Sequence, residues 1–249
     1  MESTLKNIKL ILAYDGSNYH GWQRQKNSIT VQEVIEDNLQ KMVGAPVRLV
    51  CSGRTDAGVH AVGQVCNFLT SSRIPPESIK KGLNSLLPDD VLVREAEFVP
   101  LDFHSRYWAK CKTYEYRILN RPEPDIFDRK YIWHIRLPLN IKKMEAALSH
   151  LKGRHDFSSF RSSGGKDSDP VRNILKAELQ VSENKMLRFV LEADGFLRHM
   201  VRNIVGTVIE VGMGRIDYDK FCRILDAKDR RAAGLKAPPQ GLFLMEVLY

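Results

Sequence analysis

Long hydrophobic runs are missing from these 249 residues. No stretch approaches the roughly 20 apolar residues that span a bilayer. The opening Met1-Glu2-Ser3-Thr4-Leu5-Lys6 is polar and acidic, with no apolar core of the kind a secretory signal carries. The expectation is a cytoplasmic protein that does not enter a membrane. Cysteine is scarce: Cys51, Cys66, Cys111 and Cys222 stand far apart in apolar surroundings, without the paired spacing of a zinc site or the density of a disulfide scaffold. They read as reduced thiols in or near the core. Complete phosphate-binding glycine motifs are absent too. Lys166 is followed by Asp167 rather than Ser or Thr, and Gly212-Met213-Gly214 lacks a third glycine and a strand-to-helix setting, so nucleotide-cofactor readings fail. Acid is in deficit, with 30 Asp and Glu against 38 Lys and Arg, a formal charge of +8. That balance favours a polyanionic partner, nucleic acid first, although a basic surface also serves plain solubility.

What is present is a core-sized share of hydrophobic residues, 43%, distributed in strand and helix patterns over a length that suits one large domain or two smaller ones. A strand is expected over 8–14. A helix follows, opened by the capping pair Thr30 and Glu33, carrying Val31, Ile35, Leu39 and Met42, and stopped by Gly44 and Pro46. Strands over 47–52 and 61–69, a helix begun by Pro75-Pro76-Glu77, and a strand over 91–99 complete a β-α-β-β-α-β order, that of a split βαβ unit. A long strand is then expected from His104 to Leu119, with polar residues on both faces. A helix bearing Ile141, Met144, Leu148 and Leu151 comes next, then a strand pair over 171–181 and 186–193 turning at Glu183-Asn184. A helix over 198–211 with the stripe Val201, Ile204, Val208 and Val211, another from Asp217, and a strand over 241–249 end the chain. The polar, glycine-containing second part of the segment between His155 and Pro170 reads as a mobile loop.

The chemically dense stretch is Cys51-Ser52-Gly53-Arg54-Thr55-Asp56-Ala57-Gly58-Val59-His60-Ala61, a turning loop between two apolar runs. Arg54 stands two residues from Asp56, and a cation near a carboxylate favours its ionised form, which suits a nucleophile or base. The same Thr-Asp-Ala-Gly sequence is also ordinary β-turn chemistry. Both readings stand on the residues alone.

That loop resembles the signature of the tRNA pseudouridine synthases of the TruA family. So do Tyr14-Asp15-Gly16 with Tyr19-His20-Gly21-Trp22-Gln23-Arg24-Gln25, Lys112-Thr113-Tyr114-Glu115-Tyr116, and Gly153-Arg154-His155-Asp156-Phe157. Arg198-His199-Met200-Val201-Arg202-Asn203-Ile204-Val205-Gly206 and Ala237-Pro238-Pro239-Gln240-Gly241-Leu242 complete the series in the family's order. The resemblance runs from about Ile8 to Tyr249. It implies an α+β fold of two related ferredoxin-like, split βαβ subdomains, 1–103 and 104–249, forming a mainly antiparallel sheet with helices on one face and a central cleft. It also implies conversion of uridine to pseudouridine at positions thirty-eight to forty of the tRNA anticodon arm, by a homodimer.

Such a conversion breaks C1′–N1, turns the base, and joins C1′ to C5, with one proton lost from C5 and one gained at N1. No redox change or external energy enters, so no cofactor and no metal is expected. The needs are an ionised carboxylate, a pocket for the detached uracil, a base for C5, and extraction of the nucleotide from its stack. Asp56 is placed for the first task, by attack at C1′ or C6 or by starting a glycal path. Tyr114 can stack on uracil and reach a ring proton; an aromatic on a strand is more often core, and it is the resemblance that gives Tyr114 to the site. The resemblance gives Arg202 as the arginine that pairs with the aspartate, and it lies on the helix side away from Val201 and Ile204. Arg54 can instead support the flipped base, and Leu242 resembles the floor of the uracil pocket. His60, His155 and His199 are too dispersed for a metal, which leaves structural or RNA-contact roles. Tyr19, Trp22, Gln23, Arg24 and Gln25 can line an RNA path or simply pack their loop. Two other classes fit parts of the pattern: a non-catalytic RNA-binding module, and a glycosidase that releases the base.

Overall fold

In the computed structural model, which describes residues 4–162 and 169–249, the strands are β1 (Lys6–Tyr14), β2 (Val50–Cys51), β3 (His60–Thr70), β4 (Val91–Val99), β5 (Cys111–Leu119), β6 (Trp133–His134), β7 (Gly153–Asp156), β8 (Val171–Val181), β9 (Met186–Ala193) and β10 (Leu242–Leu248). The helices are α1 (Val31–Val43), α2 (Pro76–Leu86), α3 (Ile141–His150), α4 (Met200–Gly212) and α5 (Tyr218–Ala227). The loop expected between His155 and Pro170 falls, at residues 163–168, outside the described residues. The fold is α+β and its sheet pairing is mainly antiparallel. Among the described residues no helix is long and apolar enough to cross a membrane.

The chain divides into two compact units, Met1–Lys110 with Phe243–Tyr249, and Cys111–Leu242. In the first, alternation in β1 buries Ile8, Leu10, Leu12 and Tyr14 on one face. β1 lies between β4 and β3, antiparallel to both, and β10 adds to β3 in parallel. α1 begins where Thr30 accepts a hydrogen bond from the Glu33 N–H and ends where Gly44, at φ 72°, donates back to Gln40. α2 follows Pro75 and is pinned to β4 by Asn84, whose amide exchanges two hydrogen bonds with the Val93 backbone.

Two expected strands are shorter than their apolar content suggests. Only Val50 and Cys51 of 47–52 join the ladder, opposite Asn67 and Cys66. The Leu49 peptide is taken by α1 instead: its N–H donates to the Glu36 carboxylate at 2.9 Å and its C=O accepts from Gln32 at 3.4 Å. The strand expected from His104 begins at Cys111. The preceding residues are held as a turn by Asn7 and Asn67, which both donate to the Phe103 C=O, while Ser105 N–H donates to the Asn67 amide oxygen.

In the second unit β5, β9, β8 and β7 run in that order, each antiparallel to its neighbour, with β6 parallel to β5. α3 packs against α4, α5 and β8. α4 differs from its expected one-sided stripe. Every residue from Met200 to Gly212 is buried except Glu210, as for a helix wrapped on all sides, so the side carrying Arg202 faces protein and not solvent. All four cysteines are free thiols, Cys66 and Cys111 buried and Cys51 and Cys222 half-buried. Burial pushes the Cys66 thiol well up.

Candidate active site

The loop carrying Asp56 is braced from beneath by buried polar groups. Tyr14 on β1 shares a 2.8 Å hydrogen bond with the Thr55 hydroxyl. Gln64 on β3 donates to Gly53 C=O at 2.7 Å and accepts from the Ser52 hydroxyl at 2.7 Å. Thr55 C=O accepts from Trp22 N–H at 3.0 Å, and Gly58 N–H reaches Tyr19 C=O at 3.4 Å. Tyr14, Trp22, Ser52, Thr55 and Gln64 are all buried, and Gln64 also reaches the Tyr14 hydroxyl at 3.4 Å, so the bonds form one network in which a buried polar atom left without a partner costs about 1–3 kcal/mol. Burial raises the Tyr14 phenol well above its ordinary range, which keeps it protonated and able to hold this contact. Within the loop the Val59 N–H closes onto Asp56 C=O at 3.1 Å, a turn that leaves the Asp56 side chain half-buried and Arg54 exposed.

Gly21 sets how closely the neighbouring loop can approach. Its φ is +88°, and a Cβ there would fall 2.7 Å from Thr55 O and 3.1 Å from both Ala57 N and Asp56 C. The rest of this loop packs on α1: Gln23 donates to Gln32, and Arg24 pairs with Glu33, Glu36 and Asp37. Tyr19 and Trp22 are buried and Tyr19 donates to Asp90; burial, then that carboxylate, raise its phenol. His60 is buried against Phe243, rings stacked at 4.6 Å, with Nδ1 3.1 Å from Gly16 N–H and 3.0 Å from Asp15 Oδ1. His155 reaches Lys152 C=O at 2.9 Å and His199 reaches Ser162 at 2.7 Å. Among the described residues no three His, Cys, Asp or Glu gather as a metal set.

In the second unit Tyr114 and Tyr116 share a face of β5, because side chains two apart on a strand point the same way. Tyr114 is buried edge-on against Phe196 at 5.1 Å. Tyr116 donates to Pro238 C=O at 2.7 Å, and burial raises its phenol strongly, with Arg202 pulling the other way. Arg202 is only 7% exposed. Its Nε donates to Ala237 C=O at 2.8 Å while its own C=O accepts from Ala237 N–H at 3.0 Å, a reciprocal clasp that fixes the guanidinium and the 235–241 segment together. Gly206, one turn on, permits the approach: a Cβ there would stand 2.0 Å from Leu235 O. Asn203 and Thr207 extend the attachment through Arg230 and Gly234. Leu242, at the end of this segment, is buried.

Tyr114, Arg202 and Leu242 thus stand in the second unit, where Tyr116, the 235–241 segment and α4 bind one another. Asp56 and Arg54 stand in the first. Sequence reasoning named neither Tyr116, Tyr14 nor Gln64 as supports. For Tyr116 the signal was available in the two-residue spacing from Tyr114; for Tyr14 and Gln64 only the tertiary pairing of β1 with β3 reveals it.

Comparison with known proteins adds to this geometry. The family described as tRNA pseudouridine synthase matches residues 10–108 and 147–249. The chain is 47% identical over 245 residues to tRNA pseudouridine synthase A of Thermoanaerobacter sp. (strain X514), covering 98% of this chain and all of that relative. It is 46% identical to the protein of the same name from Acetivibrio thermocellus and 45% identical to that from Clostridium acetobutylicum, with the same coverage.

Proposed function

The chain belongs to the tRNA pseudouridine synthase family, and from that premise we propose that it isomerises uridines thirty-eight, thirty-nine and forty of the tRNA anticodon stem-loop to pseudouridine, with Asp56 as nucleophile and no cofactor. The observation that carries this reading is the bracing of Thr55 and Gly53 by Tyr14, Trp22 and Gln64, which presents the Asp56 turn on a rigid support. A catalytic carboxylate must be held in place before its substrate arrives, since misplacement by about 1 Å costs on the order of 100-fold in rate. Asp56 attacks the flipped nucleotide or draws a proton from it. The glycosidic bond to N1 breaks, the freed uracil turns, C5 takes the bond to C1′, and the C5 proton leaves while N1 gains one. Tyr114 and Arg202 take the roles that the resemblance assigns them, and Leu242 floors the pocket. The active form is a cytoplasmic homodimer. Phosphate neutralisation by the +8 chain supplies most of the affinity for tRNA.

The test is release of tritium from tRNA labelled at C5 of uridine, with the product nucleosides and their positions analysed. Tritium release with pseudouridine at the three anticodon-arm positions supports the proposal. Free uracil identifies a glycosidase, and binding without release identifies a non-catalytic RNA-binding module.

A further inference from the structure

The turn that replaces the expected start of β5 carries an exposed aromatic stack. His104 and Tyr107 lie ring to ring, centroids 4.2 Å apart and planes at 26°, and Tyr107 is 76% exposed. Next to them are the exposed Arg106 and Lys110, against one exposed acid, Asp102. An outward-facing ring on a soluble protein is common, and it would mean little on a floppy loop. This loop is rigid. His104 Nδ1 accepts from the backbone N–H groups of both Arg106 and Tyr107 at 3.2 Å, which fixes the imidazole in its turn and places its proton on Nε2. Trp108 N–H closes onto His104 C=O at 3.0 Å. Below, Asn7 and Asn67 hold the Phe103 carbonyl, the Ser105 hydroxyl donates to Val50 C=O at 2.6 Å, and the Tyr249 phenol donates to Ser105 C=O at 2.7 Å. Phe103 is buried under Trp108 and Tyr249. The fold thus commits two buried asparagines, a buried serine and three aromatic rings to holding one exposed tyrosine in place.

We propose that the His104–Tyr107 stack, with Arg106 beside it, is a platform on which an unpaired base of the tRNA substrate stacks. The proposal rests on the tRNA reading above. A base has a flat π-face whatever its identity, and a rigid ring already stacked on one side offers its surface without the entropy cost of ordering it. The Arg106 guanidinium carbon lies 5.9 Å from the Tyr107 centroid. A rotation of its flexible stem lets a base onto the ring and leaves the cation for the adjoining phosphate, the pairing of stack and charge that single-stranded nucleic acid requires. The local charge, two cations to one acid, has the sign a phosphate backbone selects.

The experiment compares Tyr107→Ala and Tyr107→Phe in the full chain, using an unmodified tRNA transcript. Filter binding gives the affinity, and tritium release gives KM and kcat. Because Tyr107 packs outward, neither variant should shift the melting temperature. Tyr107→Ala should weaken binding and raise KM by about 5- to 100-fold, the range that one stacked base contributes, with kcat within about twofold as expected for lost uniform binding. Tyr107→Phe should restore both. Affinity and KM unchanged in Tyr107→Ala, or a phenylalanine variant as weak as alanine, would overturn the platform. A wild-type protein that binds the transcript without releasing tritium refutes the catalytic reading alone, because the binding comparison between the two variants still decides the role of Tyr107.

Discussion

Replacing Gly21 by alanine tests whether the support beneath Asp56 matters for catalysis. Gly21 sits at φ +88°, where an L side chain costs about 1–2 kcal/mol of backbone strain. The new methyl would also lie 2.7 Å from Thr55 O, and ordinary contact begins near 3.4 Å, so backbone must give way by roughly 0.7 Å. The atoms in the way, Thr55 O, Asp56 C and Ala57 N, are those of the Asp56 turn itself, and no flexible side chain can absorb the shift. A displacement of that size translates into a fall in kcat of about 10- to 100-fold, with tRNA affinity within about threefold, because most of the affinity for a polyanion comes from charge spread over the surface rather than from one turn. Gly44→Ala is the control. Gly44 is also left-handed, at φ +72°, yet a Cβ there meets nothing within 4 Å. It should cost about 1 kcal/mol, a fall in Tm of about 2–4 °C, and leave kcat unchanged. The assay is single-turnover tritium release at saturating enzyme, with melting curves for both variants. If Gly21→Ala turned over like Gly44→Ala, the bracing of the loop would have no catalytic consequence and the reasoning would be refuted.

Asp56→Asn keeps the shape and removes the charge, so it should bind tRNA within a few-fold of the parent and show no turnover; measurable pseudouridine from protein purified free of host enzyme would sink the nucleophile assignment. Tyr114→Phe keeps the ring against Phe196 and loses the phenol, so tRNA binding should persist while C5 tritium release slows; release at the parental rate under conditions where that step limits would leave Tyr114 as a stacking surface only. Gly206→Ala puts a methyl 2.0 Å from Leu235 O inside a packed helix contact. It should lower stability by about 1–3 kcal/mol and kcat along with it, as the clasp between Arg202 and Ala237 opens; an unchanged melting curve would show that the 235–237 segment does not depend on α4.

The parts of the fold legible in the sequence are those whose causes are local. The start of α1 rests on Thr30 and Glu33, three residues apart, and its end on Gly44, so both could be read directly. The turn between β8 and β9 at Glu183-Asn184 is equally local: Lys185 takes the left-handed conformation and Ser182 N–H bonds Met186. What could not be read depends on distant partners. Leu49 fails to extend β2 because Gln32 and Glu36, on another element, claim its peptide first. His104 to Lys110 alternate like a strand, but Asn7 and Asn67 bend them into a turn. β7 escaped notice because Gly153-Arg154-His155-Asp156 has no apolar pattern and joins the sheet through β8 alone. Among the candidate site residues, Asp56, Tyr114 and Arg202 are put forward by motif order alone. The burial of Arg202 was not, since the apolar stripe of α4 gives no hint that its opposite side is also covered.

The parallel pairing of β10 with His60 and Ala61 bears on how this protein is made. The partners of β3 on β1 and β2 precede it in the chain, but the edge at His60, at the foot of the Asp56 turn, waits for Phe243 and Leu244. At a ribosomal pace of about 5–20 residues per second, that wait lasts on the order of ten to thirty seconds, while all of Cys111–Leu242 is translated. For that interval the nascent first unit has an open strand edge, the kind of surface that recruits chaperones or mispairs. The aspartate turn gains its last anchor only when the final strand leaves the ribosome, so a chain interrupted anywhere in the second unit carries the Asp56 sequence without the finished support for it.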